Sequence, residues 1–216
     1  HRDLHSFPTR RSSDLENVGL GRALNEGLKC CKNEAVARMD SDDIACKDRC
    51  EKQLRVLEEG IDIVSGTVVE FEKDILHCKA KRTLPLSKEE ILKFAGRRNP
   101  FNHPCVMYRK EAVEKAGGYQ HFYLFEDYYL WARMLLLGVE ARNLPDTLLY
   151  MRAGTGMYKR RGGWKYVKSM LHFRLFLWKS GLSSFLDFVV CAGGQMMICL
   201  IPNRLRELFY KKFLRK

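Results

Sequence analysis

Ala35-Val36-Ala37-Arg38-Met39-Asp40-Ser41-Asp42-Asp43 is the stretch on which the reading of this chain turns. The apolar run ahead of Asp40 predicts a short strand, with several carboxylates at its tip. Side chains alternate along an extended segment, so Asp40 and Asp42 share one side. Carboxylates gathered this way repel one another, and a fold tolerates them where a cation or a proton has work there. Two of them suit a hard divalent cation that also takes phosphate oxygens. The spacing is not that of an EF-hand, because Ile44 follows and residue 45 is alanine rather than glycine. A helix N-cap in a solvated turn would use the same residues.

A second acidic pair, Glu126-Asp127, opens an apolar helical run from Tyr128 to Leu137. A metal-bound diphosphate would need the first cluster, and a hydroxyl to be deprotonated would need the second. Between and around them, strand and helix patterns alternate. Leu20, Ala23, Leu24 and Leu28 set a helix over 17–32. Asp48 to Glu59 reads as an amphipathic helix with Cys50, Leu54 and Leu57 inward, stopped at Gly60. Ile61 to Phe71 is β-branched and reads as strand. Ser87-Lys88-Glu89-Glu90 is a capping box that opens a helix through Phe94. A short strand at 105–108 leads into a helix at 110–116, with Gly117-Gly118 as its stop. Gly138 ends the helix that follows Asp127, and Leu144 to Met151 is strand. This alternation predicts an α/β fold with mostly parallel pairing.

The formal net charge is +12, and its placement matters more than its size. Residues 158–216 carry 13 Lys/Arg against Asp187 and Glu207, whereas 16–157 is balanced. Three segments follow: 1–15, which has no periodicity and reads as non-native; a body, 16–157; and a basic helical tail, 158–216. Within the tail, 164–178 is a basic aromatic helix. Residues 185–201 are apolar but at the short limit for a bilayer span. Residues 203–216 set Leu205, Leu208, Phe209 and Phe213 against a basic face, as in a helix lying on an anionic membrane surface. A docked C-terminal helix with a solvated basic face gives the same pattern. The eight cysteines include no Cys-x-x-Cys and no zinc spacing, and read as reduced thiols in a core.

Several motifs, taken in order, resemble the family 2 glycosyltransferases. They are Asn17-Val18-Gly19-Leu20-Gly21-Arg22-Ala23-Leu24-Asn25-Glu26-Gly27-Leu28, the Asp40-Ser41-Asp42-Asp43 cluster, and the Arg49, Glu51, Gln53, Leu54 spacing. Asn102-His103-Pro104, Gly117-Gly118-Tyr119 and Glu126-Asp127-Tyr128-Tyr129-Leu130-Trp131-Ala132-Arg133 complete them. Arg160-Arg161-Gly162-Gly163-Trp164-Lys165-Tyr166 is similar to bacterial capsule, exopolysaccharide and lipopolysaccharide enzymes. The resemblance spans about residues 16–160 and implies a GT-A fold, Rossmann-like, entered partway, with the family's opening strands missing.

It also implies roles. Asp42, with Asp40 beside the nucleotide-sugar, would bind Mg²⁺ or Mn²⁺. Asp127 would take the proton of the acceptor hydroxyl in an inverting displacement, Glu126 being the weaker candidate. Asn17, Gly19 and Arg22 would shape the nucleotide-sugar site, and His103, Arg160 and Arg161 would meet the acceptor or a diphosphate. Trp131, four residues beyond Asp127, reads as core rather than as a sugar platform. The implied partners are a nucleotide-diphosphate sugar, a lipid-linked or glycan acceptor and an anionic membrane surface, which places the protein on the cytoplasmic face of the membrane. A rival from another class is a non-catalytic peripheral membrane or nucleic-acid binding protein, supported by the basic tail. Its charges alternate with long apolar runs, which suit lipid better than a phosphate groove.

Overall fold

The computed structural model describes residues 19–72, 74–153 and 163–200. In chain order the elements are α1 (Leu20–Cys30), β1 (Ala35–Ala37), β2 (Ile44–Ala45), α2 (Arg49–Glu58), β3 (Ile63–Phe71) and β4 (Cys78–Arg82). Then come α3 (Lys88–Ala95), a 3₁₀ turn (His103–Cys105), β5 (Met107–Arg109), α4 (Lys110–Lys115), α5 (Glu126–Leu136), β6 (Ala141–Arg152), α6 (Trp164–Lys179) and α7 (Phe185–Leu200). The α/β alternation expected from the sequence is present, and β2 and β4 are additions to it.

The strands form one mixed sheet in the order β1-β5-β3-β6-β2, with β4 also on β3. The expectation of mostly parallel pairing is corrected: only β3 and β6 run parallel, and the other pairings are antiparallel. The physical reason lies in the connections. The β3–β6 pair is joined through helices, which parallel pairing requires, whereas β3 and β4 are close in sequence and turn back on each other. The acidic segment links β1 to β2, and so carries the chain from one end of the strand order to the other. Pro145 sits where the β3–β6 register slips between Gly66 and Thr67, a place where a strand tolerates a missing amide donor. Gly66 is required there, because a Cβ on it would lie 2.5 Å from Leu148 Cδ1.

The main core joins Ile63, Ile91, Phe101, Val106, Tyr108, Val113, Leu130, Trp131 and Met134. Trp131 is fully buried, with Phe101 edge-on at 5.9 Å. The capping box of α3 forms as expected, Ser87 Oγ accepting from the Glu90 amide and Glu90 accepting from the Ser87 amide. The inward face of α2 differs from expectation: Arg49, Gln53, Val56 and Leu57 are buried, and Cys50 and Leu54 are exposed. Among the described cysteines only Cys105 is buried, and all are free thiols. A core of reduced thiols is therefore corrected to one core thiol.

α6 packs on α5. Tyr166, Met170, Phe173 and Leu177 meet Phe125, Tyr128 and Ala132, with Phe125 and Phe173 stacked at 4.9 Å. Among the described residues no helix is long and apolar enough to cross a membrane. The amphipathic segment expected at 203–216 lies outside the described residues.

Candidate active site

The acidic turn is anchored from beneath by a buried polar clamp. Arg38 donates its amide to Val106 O at 2.9 Å, which ties the strand end to the residues before β5. Arg49, nearly fully buried, donates from Nη2 to Arg38 O at 2.7 Å and to Val106 O at 3.3 Å, and from Nε to Gln53 Oε1 at 3.0 Å. Gln53 passes the link on to Cys105 O at 2.8 Å. A buried charge and a buried amide are tolerated because these carbonyls accept from them.

On that base the aspartates divide. Asp40 is gripped by Arg38 in a two-pronged pair, Nη1 to Oδ2 at 3.0 Å and Nη2 to Oδ1 at 2.6 Å. Arg38 and Asp40 are two residues apart, a spacing that places both on one side of an extended segment; sequence reasoning had this signal and passed over it. Asp42 is exposed, and its carbonyl accepts from Arg152 Nε at 3.3 Å. Asp43, absent from the expected site, is buried: Oδ1 accepts from the Arg152 amide at 2.9 Å and Oδ2 has no partner. Burial raises the Asp43 carboxyl above the usual carboxylate range, the Arg152 amide opposes this, and the charges of Asp40 and Asp42 add to it. Asp43 thus keeps one buried carboxylate oxygen without a partner, but among the described residues no three His, Cys, Asp or Glu side chains are grouped so as to hold a metal ion. Arg38 already satisfies Asp40, which leaves Asp42 as the most accessible carboxylate of the turn.

The second acidic pair opens α5. Asp127 Oδ2 accepts from Asn99 Nδ2 at 2.8 Å, a partner that no sequence signal announced. Burial raises the Glu126 carboxyl; its own backbone amide opposes this, the Asp127 charge adds to it and His121 opposes it. The turn that delivers the pair holds Leu124 at φ 62, the one non-glycine with positive φ among the described residues. Such backbone strain is found where a fold fixes a functional turn.

His103 is partly buried beside Tyr119 and Trp131. Its Nε2 lies 3.2 Å from Tyr119 Oη, and its ring meets Trp131 edge-on at 6.0 Å. Burial pushes the imidazole down to about 4; the Asp127 charge opposes this, Arg38 adds to it and Asp40 opposes it. One residue thus feels a carboxylate from each acidic site.

The α1 end closes on the same region. Gly19, at φ 84, precedes α1, and a Cβ on Gly21 would touch Tyr119 Cβ at 3.6 Å and Glu126 Cγ at 3.7 Å. Asn25 holds the Gly117-Gly118-Tyr119 turn by accepting from the Tyr119 amide at 2.8 Å and donating to Tyr119 O at 2.7 Å. Arg133 braces the other side, donating to Ala116 O and to Gly118 O. Arg22 is exposed and lines a cleft of about 450 Å³ with Asn25, Glu26, Glu114, Gly117 and Gly118. Asn17, Arg160 and Arg161 lie outside the described residues.

An acidic turn joins two strands of this α/β sheet and a second acidic pair opens α5 beyond it, and the fold that carries them is GT-A-like. Solved structures agree on the fold. The mannosyltransferase PcManGT of Pyrobaculum calidifontis, in complex with GDP-Man and Mn²⁺, matches with a TM-score of 0.52 at 16% identity, over 88% of this chain and 52% of that one. S. aureus TarS matches with a TM-score of 0.50 at 17% identity, over 92% of this chain and 68% of that one. The chain thus spans about half the length of the mannosyltransferase.

The family model for Glycosyl transferase family 2 matches residues 13–117. The amylovoran biosynthesis glycosyltransferase AmsE of Erwinia amylovora is 41% identical over 204 residues, covering 91% of this chain and 74% of the relative. An Escherichia coli UDP-Gal:alpha-D-GlcNAc-diphosphoundecaprenol beta-1,3-galactosyltransferase is 36% identical, covering 93% of this chain and 74% of the relative. The chain belongs to the family 2 glycosyltransferases.

Proposed function

We propose that this protein transfers a sugar from a nucleotide-diphosphate donor to a lipid-diphosphate-linked glycan in bacterial cell-surface polysaccharide synthesis, with inversion at the anomeric carbon. The observation that carries the reading is the Asp127 carboxylate at the start of α5, held by Asn99 Nδ2 at 2.8 Å in a chain that belongs to the family 2 glycosyltransferases.

Asp42 and Asp40 would hold Mg²⁺ or Mn²⁺, with Asp43 behind them. When bound, the cation neutralises charge on the departing diphosphate. Asp127 accepts the proton of the acceptor hydroxyl as its oxygen bonds to the anomeric carbon, and the bond from that carbon to the diphosphate oxygen breaks. Asn99 orients the Asp127 carboxylate for this step. His103, neutral near pH 7, supplies a polar edge with Tyr119 without adding a second cation. The galactosyltransferase relative is named for a diphosphoundecaprenol-linked acceptor, which supports a lipid-linked acceptor here. The mannosyltransferase neighbour, solved with Mn²⁺, supports a divalent cation.

Contact with the cytoplasmic face of the membrane is part of the same reading. Phe185, Leu186, Val189, Val190 and Met197 leave an exposed apolar face on α7, while α6 holds the helix pair to the body. On this reading 16–157 is the catalytic body and 158–216 the membrane-facing part.

The test is transfer from a panel of nucleotide-diphosphate sugars to lipid-linked acceptors by the protein and by Asp42→Asn and Asp127→Asn, each with its folding checked by circular dichroism. We expect both variants to fold and each to lose transfer by at least about a hundredfold, within the range for a lost acid–base group. Full activity in a folded Asp127→Asn removes the base assignment.

A further inference from the structure

A cleft of about 270 Å³ lies between α6 and the loop that leads into α5, lined by His121, Tyr123, Lys165, Lys168, Ser169 and His172. Lys165, Lys168, Ser169 and His172 recur at helical spacing, so they form one stripe along α6. The loop side is fixed. Ser169 Oγ donates to Tyr123 O at 2.8 Å, and Lys165 Nζ rests 4.3 Å from the centre of the Tyr123 ring. The cleft is therefore a built feature, with two ammonium groups and two imidazoles on its walls.

Two observations give it a meaning. Several cations elsewhere on the surface, though not all, are matched by carboxylates: Lys52 by Asp48 and Asp146, Lys88 by Glu140, Arg97 by Asp187 and Lys115 by Glu111. Among the described residues, none of the four groups in the cleft is in an ion pair within 4.0 Å. The cleft also adjoins the second acidic pair. Residues 122–125 close one turn, the Phe125 amide donating to Phe122 O at 2.7 Å, and that turn runs straight into Glu126 and Asp127. The charge of His121 reaches Glu126.

We propose that this cleft is the anion subsite of the acceptor and takes its diphosphate. The inference rests on the lipid-diphosphate acceptor proposed above. Where that acceptor is a single sugar on the lipid diphosphate, as in the name of the galactosyltransferase relative, the diphosphate hangs from the anomeric oxygen of the sugar whose hydroxyl is deprotonated. A base for the hydroxyl and a cationic cleft for the diphosphate must then be neighbours without coinciding, and here the turn that carries Phe122 and Tyr123 of the cleft runs directly into the helix that opens with Asp127. Ammonium and imidazole donors match a multiply charged phosphate oxygen set. The cleft is smaller than the roughly 300–1,000 Å³ of pockets that engulf drug-sized ligands, and suits a small anion whose lipid chain and sugar leave it on opposite sides.

The test follows the C2–H resonances of His121 and His172 in the intact protein, with chelator present so that no cation bridges the anion to the aspartates. Inorganic pyrophosphate should shift both resonances saturably. In the Lys165→Gln/Lys168→Gln variant its apparent Kd should rise about tenfold or more, as expected for lost charge-assisted hydrogen bonds. Phosphatidylcholine vesicles carrying a prenyl diphosphate should reproduce the shifts, and the same vesicles carrying phosphatidylglycerol should not. Failure of pyrophosphate to move either resonance, or an unchanged Kd in the double variant, overturns the site. Equal shifts with phosphatidylglycerol overturn its assignment to the acceptor, because the cleft would then read any anionic headgroup. Donor-sugar hydrolysis without acceptor separates this from the transferase reading: the double variant should retain it and Asp42→Asn should lose it. Loss of hydrolysis in every protein would sink the enzyme assignment and leave the pyrophosphate result standing.

Discussion

Acidification should destabilise the protein through His103, and the size of the effect follows from its surroundings. The imidazole is partly buried against Trp131 and Tyr119, and burial pushes it from an ordinary 6.5 down to about 4. In the unfolded chain the same group binds its proton at the ordinary value. Between the two values the unfolded chain carries a proton that the folded chain refuses, so stability rises with pH across this window and is lost as pH falls through it. At about 1.4 kcal/mol per pKa unit, the loss is about 3 kcal/mol, complete once the pH is below about 4. Asp43 and Glu126 act in the opposite sense, because burial raises their carboxyls and acid relieves a buried charge. The clean measurement is therefore a difference. Urea unfolding of the parent and of His103→Asn across this range should give a shallower loss on acidification in the variant, by about 3 kcal/mol. An NMR titration of His103 should find its midpoint near 4. A midpoint near 6.5, or equal pH slopes in the two proteins, would refute the claim that burial holds the His103 imidazole neutral.

Arg49→Met should cost about 2–4 kcal/mol in urea unfolding, since Arg38 O and Gln53 Oε1 lose a charged donor in a dry site; it should also weaken donor binding, because Arg38 leads into the acidic turn, and an unchanged urea midpoint would argue against the clamp. Gly118→Ala should lower the melting temperature by about 5 °C, for the residue sits at φ 64 and a Cβ would lie 2.8 Å from Asn25 Oδ1; an unchanged melting curve would contradict the tight turn. Maleimide should label Cys30, Cys50 and Cys78 quickly and Cys105 only on unfolding, because Cys105 is fully buried and its thiol is pushed up to about 11; rapid labelling of Cys105 itself in the folded protein, read from its peptide by mass spectrometry, would show that the turn before β5 is not packed as described.

What the sequence announced was local. The Ser87 capping box, the Gly117-Gly118 stop and the burial of Trp131 follow from residues within a few positions of each other, and the structure has all three. The buried face of α2 was misread for a physical reason. Apolar periodicity assumes that the inward face is apolar, and it placed Cys50 and Leu54 inside. The structure spends that face on Arg49 and Gln53, because the carbonyls of Arg38, Val106, Val64 and Cys105 need donors. Their partners lie up to 57 residues away, beyond any periodicity. Pairing sense failed similarly: strand patterns report which residues are extended, not which neighbour they meet, and β4 turns back on β3 where alternation suggested a parallel sheet.

The same distinction decides between Glu126 and Asp127 as the base. The two are adjacent in sequence and open the same helix turn, so composition cannot separate them. Their long-range partners do. Asn99 reaches across 28 residues to hold one oxygen of Asp127. Glu126 instead lies toward Gly21 on α1, where burial and the Asp127 charge both favour its protonated form. A raised pKa makes an ionised carboxylate the stronger base, so that direction does not count against Glu126; what favours Asp127 is the Asn99 hydrogen bond that holds its carboxylate oriented. On this ground Glu126→Gln should retain more transfer activity than Asp127→Asn. The order would be reversed if packing against α1, rather than the Asn99 contact, marked the reacting carboxylate.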